Sequence, residues 1–256
     1  MMTWLYRLSL VLTVVFCGAA GAGTLRFVTE PFPPYSYPVS ATDSTAAGPM
    51  AEVVQAVCVR IKASCHAEVY PWRRAYSMVI DGDVDGMFSL MPTKEREADL
   101  YFTDLIVGGA YTFFARRTDT LHFSRPSDLD GRSVAVYGPS GTSIALEGIR
   151  NQTSARTILE VSNDILLKKL TSGRYGDSPV FLMNRDVAQA LMQQYGIQGM
   201  KPAGDLMAIA YAVGFSRKRC SPKQVEQFNA GVKALLRDGT IKAILNKYGL
   251  STVPRE

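Results

Sequence analysis

CHAEVYPWRRAYSMVIDGDVDGMFSL, residues 65–90, carries a strand, a helix and a second strand in immediate succession. His66 to Tyr70 reads as β, and Trp72 to Ile80 reads as a helix. Asp81-Gly82-Asp83 is a turn signal, and the run Val84 to Leu90 after it reads as another strand. The same alternation extends upstream. Leu25 to Thr29 is a first strand, and Met50, Val53, Val54, Val57 and Ile61 recur at helical spacing opposite Glu52, Gln55, Arg60 and Lys62. Pro38 to Gly48 is expected to be a small-residue loop between them. Together these make one β-α-β-α-β unit, the pattern of an α/β fold with largely parallel strands.

A second unit begins after Thr120. Strands are expected at Ser133 to Val136, Thr157 to Val161 and Val180 to Met183, with helices from Ser140 to Gly148, from an N-cap at Ser162 to Leu170, and from Arg185 to Gln194. Two extended segments, Gly109 to Ala115 and Ile209 to Phe215, pass between the units, and two crossings imply a hinge. Ser221-Pro222-Lys223-Gln224 then supplies an N-cap, a proline at the first helical position and a capping-box glutamine. Val225, Phe228, Val232, Leu235 and Leu236 form the buried stripe of that helix, and Gly239 with Thr240 ends it and opens the next. The helix pair is expected to pack on the first unit. The reading is a two-lobed α/β fold, each lobe a mostly parallel sheet flanked by helices, with lobe 1 at 23–109 and 211–256 and lobe 2 at 110–210.

Residues 1–22 have the form of a secretory signal peptide: Arg7, an apolar run from Leu8 to Phe16, and the small-residue site Ala20-Gly21-Ala22. That run is roughly half the ~20 residues a membrane span needs, so cleavage near Gly23 and a periplasmic product are expected. Phe16 before Cys17 does not suit a lipid-modified cysteine. A composition of 47% hydrophobic and 20% charged residues is that of a globular chain, and a monomer is expected. The formal charge of +5 is spread along the chain, and its densest clusters, Arg217-Lys218-Arg219 and Arg116-Arg117, lack interleaved aromatics, which argues against nucleic acid. In an oxidising compartment Cys58 and Cys65 are candidates for a disulfide, while Cys220 has no evident partner. With His66 and His122 the only histidines, neither a metal nor a cofactor is expected.

Further motifs fall in a telling order. Thr29-Glu30-Pro31-Phe32-Pro33-Pro34-Tyr35 follows the first strand, Gly48 opens the first helix, and Asp83-Val84-Asp85-Gly86 precedes the third strand. Pro92-Thr93-Lys94-Glu95-Arg96, Tyr101-Phe102-Thr103-Asp104, Gly138-Pro139-Ser140-Gly141-Thr142, Asp238-Gly239-Thr240 and Lys247-Tyr248-Gly249 come after them. In order and spacing the mature chain resembles the family 3 extracellular solute-binding proteins, receptors of polar amino acid ABC transporters. The resemblance implies the type II periplasmic binding fold, a small ligand in the cleft between lobes, closure by a hinge, and a permease as partner.

The resemblance also nominates residues. Arg96 matches the family arginine that holds the ligand's α-carboxylate, and a guanidinium fork suits that task. Ser140, Gly141 and Thr142 open a helix whose free N–H groups favour an anion. Trp72 stands where relatives place an aromatic wall, Phe32 and Tyr35 flank the opposite wall, and Arg73 could add a second cation. Glu30, Ser89 and Asn184 follow strand ends, where ligands of open α/β sheets lie. Two departures stand out: Asn184 replaces the usual aspartate for the ligand's ammonium, and Met91 replaces a Thr or Ser. Glu30 is the alternative carboxylate; without it, the ligand lacks an α-amine.

The expected function is therefore capture of a small carboxylate-bearing solute for transport, without catalysis. Two alternatives share the fold: a cyclohexadienyl dehydratase-like enzyme, which needs a positioned general acid in the cleft, and a sensor that presents its bound state to a signalling receptor.

Overall fold

The computed structural model describes residues 24–253. Its strands and helices alternate in the order β1 (Leu25–Thr29), β2 (Tyr37–Ser40), β3 (Asp43–Ala47), α1 (Pro49–Arg60), β4 (Cys65–Val69), α2 (Trp72–Asp81), β5 (Gly86–Leu90), β6 (Leu100–Phe102) and β7 (Val107–Arg116). They continue through β8 (Ser133–Tyr137), α3 (Gly141–Glu147), β9 (Arg156–Glu160), α4 (Asn163–Thr171), β10 (Val180–Asn184), α5 (Arg185–Gln194), β11 (Met200–Ser216), α6 (Pro222–Arg237) and α7 (Thr240–Asn246). The fold is a two-lobed α/β architecture, as the alternation predicts.

In the first lobe β4, β1 and β5 run parallel. Successive side chains of a strand point to opposite faces, so Phe27 and Val28 enter different layers. Phe27 packs on Phe215 and on Phe228 of α6, whereas Val28 joins Ala75 and Val79 of α2. Helices thus cover both faces, with α1, α6 and α7 packed together on one and α2 on the other. In the second lobe β9, β8 and β10 run parallel, and β7 pairs antiparallel with β10. Strand β11 belongs to both lobes. Ala212 to Phe215 pair with β5, and Met200 to Tyr211 pair with β7.

Local signals hold where they name a cap. Ser162 Oγ accepts from the Ile165 N–H at 3.1 Å, and Ser221 with Gln224 forms the capping box of α6. Cys58, late in α1, is bonded to Cys65 at the start of β4, their Cα atoms 6.2 Å apart. Cys220 is a buried free thiol. The signal peptide and Cys17 lie outside the described residues.

Three segments differ from expectation. Pro38 to Gly48 is not a loop but holds the antiparallel pair β2 and β3, and Thr45 of β3 pairs with Glu68 of β4. These strands are short and largely exposed, so the apolar alternation that marks a half-buried strand is missing. The short strand β6 was hidden for a related reason: its three residues pair only with the end of β11. Finally, β11 starts nine residues before the expected Ile209, because Pro202 and Gly204 read as breakers; register shifts at Pro202/Gly204 and Asp205/Met207 absorb them within the ladder.

Candidate functional site

The carboxyl ends of β1, β4, β5, β8, β9 and β10 surround a cavity of about 470 Å³, within the usual range for small-molecule sites. Its lining includes Glu30, Phe32, Trp72, Ser89, Met91, Arg96, Ser140, Gly141, Thr142 and Asn184. Ten of the twelve nominated residues are therefore brought together. Tyr35 and Arg73 are not among the lining. Tyr35 lies fully buried behind Phe32, with the two rings stacked at 5.2 Å. Arg73 is exposed on the first turn of α2, near enough to Tyr137 to act on its hydroxyl.

Arg96 opens a short 3₁₀ turn, with its backbone N–H donating to Thr93 Oγ1 at 3.2 Å. One guanidinium nitrogen donates to the Met91 carbonyl at 2.8 Å. The guanidinium also lies over Trp72 and Tyr76, 5.1 and 5.7 Å from their ring centroids, and those two rings stack on each other. Arg96 forms no ion pair among the described residues, so its remaining donors stay available to a ligand.

Glu30 likewise has no ion-pair partner there. Desolvation in the cleft pushes its carboxyl up to about 7, with the Arg96 guanidinium pulling in the other direction. A carboxylate held this way is costly to ionise unless a ligand supplies a donor. Ser89 lines the same wall in an uncommon conformation for a non-glycine residue, φ 59°, and its Oγ lies 3.3 Å from Ser36 Oγ. Strain of this kind collects where a site is over-determined by its surroundings.

On the facing lobe Ser140 caps α3, accepting from the Ser143 N–H at 3.2 Å. The Gly141 position is bare by necessity, since a methyl group there would lie 2.6 Å from the Tyr111 hydroxyl and 3.2 Å from Met91 Cε. Asn184 is 2% exposed and spends its side chain on the fold. Its Oδ1 accepts from the N–H groups of Asp186 and Val187 at 2.8 and 3.2 Å, capping α5, and its Nδ2 donates to the hydroxyls of Tyr211 and Tyr35 at 2.9 and 3.2 Å.

The cavity also contains residues that sequence reasoning passed over: Tyr111, Tyr137 and Tyr211, together with Asp164 and Tyr195. Burial raises Tyr111, Tyr137 and Tyr211 above their ordinary pKa, so they remain neutral hydrogen-bonding groups. Tyr137 was accessible to inference, as the last residue of β8 before the glycine turn. Tyr111 and Tyr211 stand inside both anticipated crossings. Tyr195, whose hydroxyl donates to Asp164 Oδ1 at 2.7 Å, follows the end of α5 and gave no signal.

Residues 25–251 match the bacterial extracellular solute-binding proteins, family 3. The chain belongs to this family. Solved structures with the same fold include a histidine kinase sensor domain with similarity to periplasmic binding proteins, at TM-score 0.75 and 19% identity over 91% of this chain and 99% of that one. An ancestral arginine-binding protein bound to arginine gives 0.74 at 19% identity, covering 89% of this chain and 99% of its own. An arginine transport system periplasmic binding protein from Legionella pneumophila gives 0.71 at 18%, with 88% and 99% covered. No curated protein sequence matches the chain. At these identities the family 3 structures establish the fold and leave the ligand open. Among the described residues there is no cluster of potential metal ligands, and no helix is long and apolar enough to cross a membrane.

Proposed function

We propose that this protein captures a small carboxylate-bearing solute, amino acid-like or an organic acid, and delivers it to an ABC transporter after export to the periplasm. The observation that carries the reading is Arg96: a guanidinium oriented by two stacked rings and one carbonyl, without an ion-pair partner among the described residues, lining a cleft between lobes. The Gly141 and Thr142 amides of the facing lobe support it, because α3 begins at that wall. Any ammonium on the ligand answers to Glu30, since the hydrogen-bonding groups of Asn184 are taken up. Of the described residues, 24–109 and 211–253 are assigned to lobe 1 and 110–210 to lobe 2, and the signal peptide is proposed to end near Ala22. The arginine-binding relatives support an amino acid as ligand class.

The test is a thermal-shift screen of amino acids and organic acids, each beside its decarboxylated analogue. A ligand at a hundred times its Kd adds about 2.7 kcal/mol of stability. Acids should stabilise and their decarboxylated analogues should not; stabilisation by the analogues alone overturns the proposal.

A second reading rests on Glu30, whose carboxyl titrates near neutral pH and so suits a general acid for a dehydratase-like elimination. Incubation with prephenate-like acids, followed by absorbance of an aromatic product, separates it from binding alone.

A further inference from the structure

Behind the cleft floor, polar side chains from separate segments meet, Tyr35 and Asn184 buried and Asp186 partly so. Tyr35, on the chain between β1 and β2, donates its hydroxyl proton to Asp186 Oδ2 at 2.6 Å, while Asn184 Nδ2 donates to the same hydroxyl at 3.2 Å. Tyr35 belongs to the first lobe, and Asn184 and Asp186 begin α5 in the second. Tyr211, which takes the other Asn184 donor, lies on β11 where that strand passes between lobes. The other crossing strand, β7, enters through Gly109: a methyl group there would stand 3.0 Å from the Tyr35 hydroxyl, 3.4 Å from Asn184 Nδ2 and 3.5 Å from Asp186 Oδ2. Both lobes and both crossings therefore converge on one knot of hydrogen bonds.

We propose that the Tyr35–Asp186 bond is a latch between the lobes, holding the cleft toward its closed arrangement before any solute arrives. The bond joins one residue of each lobe directly. It is charge-assisted, and its donor Tyr35 is fully buried, both of which strengthen it. Asp186 forms no ion pair among the described residues, so Tyr35 is the side-chain donor it has. Opening the cleft here exchanges that bond for water. The latch also lies one ring away from the cavity, because Phe32 lines the cavity and stacks on Tyr35. A solute pressing on Phe32 is thus felt at the latch, although the latch itself does not touch solute.

Small-angle scattering of the ligand-free protein tests this, with Tyr35→Phe and Asp186→Ala. Tyr35→Phe keeps the ring and its stacking, and removes the hydroxyl alone. Each variant should shift the closed-to-open ratio by about tenfold or more toward open, with a larger radius of gyration. The double variant should be no more open than either single one, since both remove the same bond. If both single variants scatter like the parent, the knot is a fixed pivot and the latch is wrong. If Tyr35→Phe does not fold, Asp186→Ala decides alone, its residue being only half-buried. No solute enters the experiment, so a wrong ligand class would leave its result untouched.

Discussion

Replacing Arg96 by alanine removes the one cation that lines the cleft among the described residues, and the structure separates what that costs the ligand from what it costs the fold. Among the described residues the guanidinium makes one hydrogen bond, to the Met91 carbonyl, and lies over Trp72 and Tyr76. Losing these contacts costs about 1–2 kcal/mol of stability, which for a chain of this size lowers Tm by a few degrees. Losing a bidentate charged contact to a carboxylate in a desolvated cleft costs more, about 2–5 kcal/mol, or roughly thirtyfold to several thousandfold in Kd. Arg96→Lys should recover only part of this, because an ammonium keeps the charge without the planar fork. Isothermal calorimetry with the best ligand from the screen measures both variants. Of the two tryptophans, Trp72 lies in the cleft, so its fluorescence gives a second readout of the same binding. Binding of Arg96→Ala at parental affinity would refute the reasoning, and so would a tightest ligand that is a cation without a carboxylate.

An amino acid whose ammonium pairs with Glu30 will favour the ionised carboxylate, so binding should release a proton and affinity should rise by up to tenfold per pH unit until about pH 7, then level off. Glu30→Gln should flatten that profile; affinity that instead increases on acidification means the group facing Glu30 is an acceptor. Asn184→Ala should cost stability by about 2–4 kcal/mol through the lost cap and the stranded tyrosine hydroxyls, and unchanged urea unfolding would contradict the hydrogen-bond assignment. Reduction of Cys58–Cys65 should lower stability by roughly 2 kcal/mol, and labelling of unfolded, non-reduced protein should find only Cys220 free among the three cysteines after residue 22.

The layered fold was legible because its strands and helices each carry a buried face, which leaves a period in the sequence: Val53, Val57 and Phe228 could be placed before any coordinate was known. The same physics explains what was not legible. Strands β2 and β3 are held by backbone pairing at an exposed edge, which leaves no apolar period. At the cavity, residues that follow strand ends or match a family motif are among the lining, whereas Tyr111 and Tyr211 owe their place to the pairing of β7 with β11, a long-range contact with no local signature. Tyr35 shows the limit of a motif. Its position in the proline-rich turn suggested a ligand wall, but only the fold places Asp186 2.6 Å from its hydroxyl and so turns it away from the cavity.

The passage of β11 from one lobe to the other has a consequence for how the chain is assembled in time. Until residues 212–215 have emerged, β5 presents an open edge on the side that β11 will occupy, and the face of α1 that α6 and α7 cover is bare. More than a hundred residues separate β5 from these late partners, and closing so long a loop is slow. Strands β7 to β10, by contrast, are contiguous in the chain and can pair among themselves first. The lobe that holds β1 is thus the last to be completed, because its β5 edge waits for the end of β11.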